Sequence, residues 1–242
     1  MYGSRARLGR INPSPETVGD EEWRQVCPEG VIVVSTRMYL ERVDSESLTA
    51  MVGNVERAAR ELASARANVI LMAGTAGAFN GGPDFDRELI RRIETATGVP
   101  ASTTMSAVMD AFGALGMRKV AVATSYIPAV DALLADVLRA KGVEVLAIKG
   151  MGLLKSIDMG DVQPEETYRF AFEVFEKVPE ADGYLICCGN LRSFEAVRPL
   201  EAALGKPVVT SNLAGIWKVL QMTGVGVPRG KFSSRLLDMA GP

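Results

Sequence analysis

The chain repeats itself, and the repeat limits its fold more than any other feature. Leu8-Gly9-Arg10-Ile11-Asn12, a polar-started helical segment and then Gly30-Val31-Ile32-Val33-Val34 form the first unit. They are echoed by Val120-Ala121-Val122-Ala123-Thr124, a helix opening at Pro128, and then Gly142-Val143-Glu144-Val145-Leu146. A second echo pairs Asn68-Val69-Ile70-Leu71-Met72-Ala73-Gly74-Thr75 with Gly183-Tyr184-Leu185-Ile186-Cys187-Cys188-Gly189. A third pairs Gly98-Val99-Pro100-Ala101-Ser102-Thr103-Thr104 with Gly205-Lys206-Pro207-Val208-Val209-Thr210-Ser211. An offset of 114 residues carries Gly74 onto Cys188 and Asn12 onto Tyr126. Such self-similarity marks a structural unit used twice.

Within each unit, short apolar runs alternate with helix-period segments, the signature of a parallel sheet covered by helices. Val31–Val34, Val69–Met72, Val120–Ala123, Val143–Ala147 and Tyr184–Ile186 read as strands. Leu48, Val52, Val55, Ala59 and Leu62 recur at three- and four-residue steps, which predicts an amphipathic helix. Val130, Leu133 and Val137 predict another, stopped at Gly142. The expected fold is α/β: two similar Rossmann-like lobes with parallel four-stranded sheets, related by a pseudo-twofold, with the active site in the cleft between them. Residues 1–115 would form the first lobe, completed by the C-terminal segment 216–242, and residues 116–215 the second. Open parallel sheets bind ligands beyond the carboxyl ends of their strands, so the loops after Met72, Thr124 and Ile186 are where chemistry belongs.

Composition removes several kinds of chemistry. The 242 residues contain no histidine, which excludes imidazole bases, histidine-based triads and imidazole-ligated zinc. The three cysteines, Cys27 and the adjacent Cys187 and Cys188, suit neither a CxxC pair nor a metal knuckle, and no metal site is expected. They point to a reducing, cytoplasmic setting. A net charge of −2 lacks the basic footprint of a nucleic-acid binder. Met1–Arg7 lacks the apolar run of a signal peptide, and the most apolar stretch, Val69–Phe79, is broken by Gly74, Thr75 and Gly77, so no membrane span is expected. Gly224–Lys231 resembles a phosphate loop, but its glycines miss both nucleotide-binding spacings.

Several loop residues have the right chemistry. Cys188 follows an apolar strand and precedes a helix opening at Ser193, where backbone amides can lower a thiol pKa. Alternation turns Cys187 to the opposite face, as a buried small hydrophobe. Gly74-Thr75-Ala76-Gly77 offers consecutive amides and one hydroxyl to an anion, or is simply a glycine-rich turn. Tyr126 can donate to the same anion or be an interfacial aromatic. Thr103-Thr104 and Thr210-Ser211-Asn212 add hydroxyls that equally suit helix caps. Glu16, Arg37 and Arg192 lie near loop ends, where most charges are solvated. Tyr168, Phe172 and Phe175 have the spacing of core residues.

At these loops the chain resembles the aspartate/glutamate racemase superfamily, in its arylmalonate decarboxylase and maleate isomerase branch. The resemblance runs through Asn12-Pro13-Ser14-Pro15-Glu16-Thr17, Gly74-Thr75, Thr103-Thr104-Met105-Ser106, Ala123-Thr124-Ser125-Tyr126, Cys188-Gly189-Asn190-Leu191-Arg192 and Pro207–Trp217. Racemases and isomerases of this group use a cysteine on each side of the cleft, whereas this chain has Gly74 at the first position. The resemblance therefore implies a cofactor-free lyase in which Cys188 alone protonates an enediolate formed from a disubstituted malonate-type dicarboxylate. It places Gly74, Thr75 and Tyr126 with Cys188 in the catalytic set. Ala76, Gly189, Asn190, Pro15, Leu40, Val43, Met159 and Thr103 become substrate contacts. The partner is then a small dicarboxylate, handled by a monomer or small homo-oligomer. Ala76, Gly77 and Ser156 depart from the decarboxylase pattern, Asn190-Leu191-Arg192 follows the isomerase one, and Glu16 replaces an asparagine typical of the isomerase. A single-cysteine isomerase and a non-catalytic small-molecule-binding protein are the alternatives.

Overall fold

A computed structural model describes residues 2–226 and 232–239; of the glycine-rich Gly224–Lys231 run, residues 227–231 lie outside that description. The first half of the chain runs β1 (Ala6–Pro13), α1 (Gly19–Val26), β2 (Val31–Met38), α2 (Ser45–Val52), α3 (Val55–Ser64), β3 (Val69–Met72), α4 (Thr75–Phe79), α5 (Phe85–Thr97), β4 (Ala101–Thr103) and α6 (Thr104–Leu115). The second half runs β5 (Lys119–Thr124), α7 (Pro128–Ala140), β6 (Glu144–Gly150), α8 (Ser156–Asp161), α9 (Pro164–Phe175), β7 (Gly183–Cys187), α10 (Phe194–Leu204), β8 (Val208–Thr210), α11 (Ser211–Met222) and α12 (Arg235–Asp238).

The two four-stranded sheets have the orders β2-β1-β3-β4 and β6-β5-β7-β8. Every pairing within them is parallel. The duplication read from sequence is thus a duplication of topology. Leu8 lies level with Val69 in the first sheet and Val120 level with Gly183 in the second, so the 114-residue offset holds for β3 and β7, whereas β1 and β5 correspond at 112. β3 and β7 are buried on both faces, which accounts for their unbroken apolar runs. The predicted helix from Leu48 to Leu62 is instead two helices. Gly53 and Asn54 interrupt it, while Leu48, Val52, Val55, Ala59 and Leu62 are all still buried.

The hydrophobic core is continuous across both lobes. α6 and α11 pack together at the junction, and α11 also contacts α1, β3 and β4 of the first lobe. The two helices start alike: the Thr103 hydroxyl accepts the Ser106 N–H at 3.1 Å, and the Thr210 hydroxyl accepts the Leu213 N–H at 3.2 Å. These bonds satisfy first-turn amides that have no intrahelical partner. Tyr168 and Phe172 stack on each other, and Phe175 stacks on Tyr184 of β7, so this trio is packing material as its spacing predicted. Among the described residues no helix is long and apolar enough to cross a membrane.

Thr103→Ala and Thr210→Ala are each expected to lower unfolding free energy by about 1 kcal/mol. For a chain of this size that is about 2–4 °C in melting temperature. KM should not change, so thermal unfolding paired with steady-state kinetics checks the assignment. A raised KM in Thr103→Ala with an unchanged melting temperature would return Thr103 to the substrate contacts.

Candidate active site

The carboxyl ends of β1, β3, β5 and β7 converge between the lobes and deliver Pro13, Gly74, Tyr126 and Cys188 to one cavity. Gly74 has φ +90°, and a Cβ there would lie 3.0 Å from Pro13 Cγ. Only glycine takes this conformation and this contact without strain. Two connections, one from each lobe, are bonded to each other beside the cavity: Val43 N–H donates to Leu154 O at 2.8 Å, and Ser156 N–H to Glu41 O at 3.1 Å. This clasp sets Leu40 and Val43 opposite Ser156 and Met159. The space left is about 30 Å³, room for roughly two water molecules. A dicarboxylate needs more room than this, so the cavity walls must move apart to admit one.

A chain of hydroxyls and thiols lies behind the cavity wall, reaching it at Tyr126 and Cys188. Thr75 Oγ1 donates to Ser211 Oγ at 2.9 Å, and Ser211 also accepts the Cys188 N–H at 3.2 Å. Ser211 in turn donates to Cys187 Sγ at 3.7 Å, and Tyr126 Oη lies 3.8 Å from the same sulfur. Cys188 Sγ rests 3.6 Å from Met159 Sδ. Burial pushes the Cys188 thiol up to about 11, against opposing contributions from Ser125, the Asn190 amide and Tyr126, and the Glu16 charge raises it further. Burial likewise pushes Cys187 up to about 12 and Tyr126 well above its ordinary value. At neutral pH both thiols and the phenol carry their protons.

Behind the cavity lies a buried charge network. Arg10 on β1 is fully buried, with its Nη1 2.5 Å from Glu16 Oε1 and 3.1 Å from Asp20 Oδ1. Its Nη2 donates to Asn212 Oδ1 at 2.9 Å, and its guanidinium lies 5.1 Å from the Trp23 ring centroid. Asn212 Nδ2 donates to Glu22 Oε2 at 2.6 Å and to Gly189 O at 2.8 Å. Glu22 Oε1 accepts the Ser193 and Phe194 N–H groups at 2.9 and 3.0 Å. Burial pushes Glu22 up to about 7 despite these donors, and it also raises Glu16, against the pull of Arg10.

The cavity wall includes Gly74, Ala76, Tyr126, Cys188, Gly189 and Asn190. Leu40, Val43 and Met159 also reach it, so nine of the expected residues meet in one place. Thr75 is buried just outside this wall, bonded to Ser211. Asn190 is a clasp as much as a contact: it accepts the Thr17 N–H at 2.8 Å and donates to Ser156 O at 2.7 Å. Pro15 supplies only a carbonyl to it, at 3.4 Å, and Thr103 is a helix cap away from the cavity.

Two expectations are corrected. The Cys188 pKa is raised, because desolvation outweighs the nearby amides. Glu16 is buried at 2 % exposure in the cavity wall, paired with Arg10, rather than solvated. Cys187 is fully buried and absent from the cavity lining, as expected of a small hydrophobe turned to the other face, and its sulfur contacts Tyr126 Oη from behind. Arg37 is partly exposed and donates to the carbonyls of Pro13, Ser14 and Glu16, and Arg192 pairs with Gln163 and Glu195. Arg10, Ser211 and Asn212 were missed as organisers. For Arg10, a charge inside the apolar β1 run was the available signal.

A sequence model described as arylmalonate decarboxylase matches residues 9–237. The chain belongs to the arylmalonate decarboxylase family. It is 32 % identical over 238 residues to the arylmalonate decarboxylase of Bordetella bronchiseptica, covering 98 % of this chain and 99 % of that one. It is 26 % identical over 229 residues to the maleate isomerase of Alcaligenes faecalis, covering 89 % of each. Among solved structures, a liganded double mutant of arylmalonate decarboxylase superposes with a TM-score of 0.91 at 29 % identity, over 96 % of this chain and 99 % of that one. A Pseudomonas putida S16 maleate isomerase variant with maleate superposes with 0.90 at 26 %, over 97 % and 98 %. The fold is therefore shared with both an arylmalonate decarboxylase and a maleate isomerase.

Two measurements probe the site's ionisation. Alkylation of Cys188 by iodoacetamide at pH 8, followed by tandem mass spectrometry, should run roughly 100-fold slower than for an ordinary thiol, because its thiolate is that much scarcer. The rate should still climb between pH 9 and 10, where an ordinary thiol levels off. Separately, Glu22 holds a proton in the folded state that the unfolded chain releases near 4.5, so its contribution to stability falls as pH rises toward about 7 and is level above. Urea unfolding at pH 5 and pH 8 should show a larger loss for the wild type than for Glu22→Gln; parallel losses would place the buried proton elsewhere.

Proposed function

We propose that this member of the arylmalonate decarboxylase family is a cofactor-independent carboxy-lyase acting on disubstituted malonate-type dicarboxylates. The observation that carries the reading is the asymmetry of the cavity: at the offset-related positions its lining has a thiol, Cys188, and a glycine, Gly74. Two-base proton exchange needs a second acid–base group at the glycine position, and one-sided proton delivery does not. On this reading, one substrate carboxylate is held by Tyr126 and by the amides near Ala76 and Gly189, with Thr75 tied into the same hydroxyl chain. The other carboxylate is pressed against Leu40, Val43 and Met159, where its charge is poorly solvated. The bond between that carboxylate and the α-carbon breaks, carbon dioxide leaves, and the electron pair passes into an enediolate. The donors around the retained carboxylate stabilise it, each typically supplying about 3–4 kcal/mol. The Cys188 S–H bond then breaks as the α-C–H bond forms, and the thiolate regains its proton from water.

The isomerase alternative is supported by the maleate isomerase relatives and by the Asn190-Leu191-Arg192 loop. It would need Cys188 to add to a double bond as a thiolate. A thiol held up to about 11 supplies little of that form near neutral pH.

Carbon dioxide release from a panel of aryl- and alkyl-disubstituted malonates, measured in EDTA, tests the proposal. Release should persist in EDTA and fall by roughly 10²–10⁴-fold in Cys188→Ser, the range of a general acid. Absence of release from every malonate, together with a cysteine thioether adduct formed from maleate, would favour the isomerase.

A further inference from the structure

Glu16 is an uncommon wall for a site that must hold a dianion. Its Oε1 is taken by Arg10, while among the described residues no hydrogen bond reaches Oε2. That second oxygen lies beside Gly189, 3.3 Å from where a Cβ on that residue would sit, and both residues line the cavity. Arg10 is shared between Glu16 and Asp20, and Arg37 lies 3.8 Å from Asp20, so the cations engage Oε1 and Asp20 and leave Oε2 of Glu16 as an acceptor toward the cavity. Ser156 adds a hydroxyl-bearing residue to a wall otherwise built by Leu40, Val43 and Met159.

We propose that Glu16 determines specificity, and that the substrate's α-substituent on its side carries a hydrogen-bond donor, a hydroxyl or an ammonium group, in place of an aryl ring. The inference rests on the decarboxylation reading and names its substrate class. A buried carboxylate oxygen left facing an apolar substituent loses its solvation without a replacement partner, whereas a hydroxyl or ammonium restores one. An acceptor oxygen offers no hydrogen bond to the carboxylates of a malonate, which find their donor at Tyr126, and the donor-bearing substituent is left as the group that approaches Glu16. One residue thus selects the substituent and fixes the orientation in which Cys188 meets the α-carbon.

Three nearly isosteric compounds isolate the effect: 2-hydroxy-2-methylmalonate, 2-amino-2-methylmalonate and dimethylmalonate. Carbon dioxide release gives kcat/KM for each, and titration calorimetry gives affinity independently of turnover. The wild type should prefer the hydroxyl or amino compound over the dimethyl compound by roughly 10- to 100-fold. The ranking of the two donors distinguishes the hydroxyl from the ammonium. Glu16→Gln, which keeps an acceptor for Arg10, should shrink an ammonium preference to within about threefold, because a charged partner is replaced by a neutral one. Equal handling of all three compounds by the wild type, binding of none of them, or a preference unchanged in Glu16→Gln would overturn the assignment. If Glu16→Gln does not fold, the wild-type ranking alone decides. A calorimetric preference without carbon dioxide release would keep Glu16 as selector and remove the decarboxylase reading; release without preference would do the reverse.

Discussion

A single buried cation organises the parts of this molecule that meet at the cavity. Arg10 stands on a central strand, fully out of water, and its desolvation is tolerable only with hydrogen-bonded counter-charges around it. Two of those partners, Glu16 and Asp20, follow closely after β1, and the third, Asn212 at the start of α11, is about two hundred positions away. Asn212 then grips the Gly189 carbonyl beside Cys188, and through Glu22 the network reaches the first amides of α10. The loop carrying the thiol is thus fixed from the opposite lobe. Removing Arg10 would leave Glu16 buried without its cation, a far larger cost than the loss of one hydrogen bond.

The pseudo-symmetric fold makes the asymmetry of the cavity informative. Both sheets share one strand order, and both α6 and α11 start at a threonine cap, so the two walls begin as equivalents. They diverge at the offset-related pair: Gly74, whose positive φ and contact with Pro13 leave no strain-free room for a side chain, and Cys188, whose thiol projects into the cavity. Conformation and chemistry thus agree at the first position. A side chain there would have to overcome both the backbone preference and the Pro13 ring before it could act as a second base.

How much of this was legible in sequence depended on whether the signal was local. Strand runs such as Val69–Met72 and the echo of Asn68–Thr75 in Gly183–Gly189 record backbone environment directly, and the sheets follow them. The 114-residue offset even predicted that Gly74 and Cys188 would share a cavity. Gly53 splitting a continuous apolar stripe into α2 and α3 was harder to read, because the stripe's periodicity survives the break. The electrostatics were not legible. Glu16 and Arg10 look like surface charges until Asn212, about two hundred positions away, closes the network. Likewise, the amides near Cys188 are visible in sequence, whereas the burial that outweighs them is a tertiary property.

That burial has two opposing consequences on the proposed route. A thiol held up to about 11 remains protonated across the working range and is a much stronger acid than the α-carbon it would protonate, so transfer to the enediolate runs downhill. The thiolate left behind is formed where desolvation and the Glu16 charge both disfavour it, next to a product carboxylate. Three negative groups then crowd one small cavity. Water must enter to reprotonate Cys188, and the product must leave to relieve the repulsion. On this route both need the narrow cavity to widen, and the paired Val43–Leu154 and Glu41–Ser156 connections beside it are where the two lobes are joined. The features that make the chemical step favourable therefore couple proton recovery and product release to one opening motion, and that motion, rather than the loss of carbon dioxide, would then set the turnover rate.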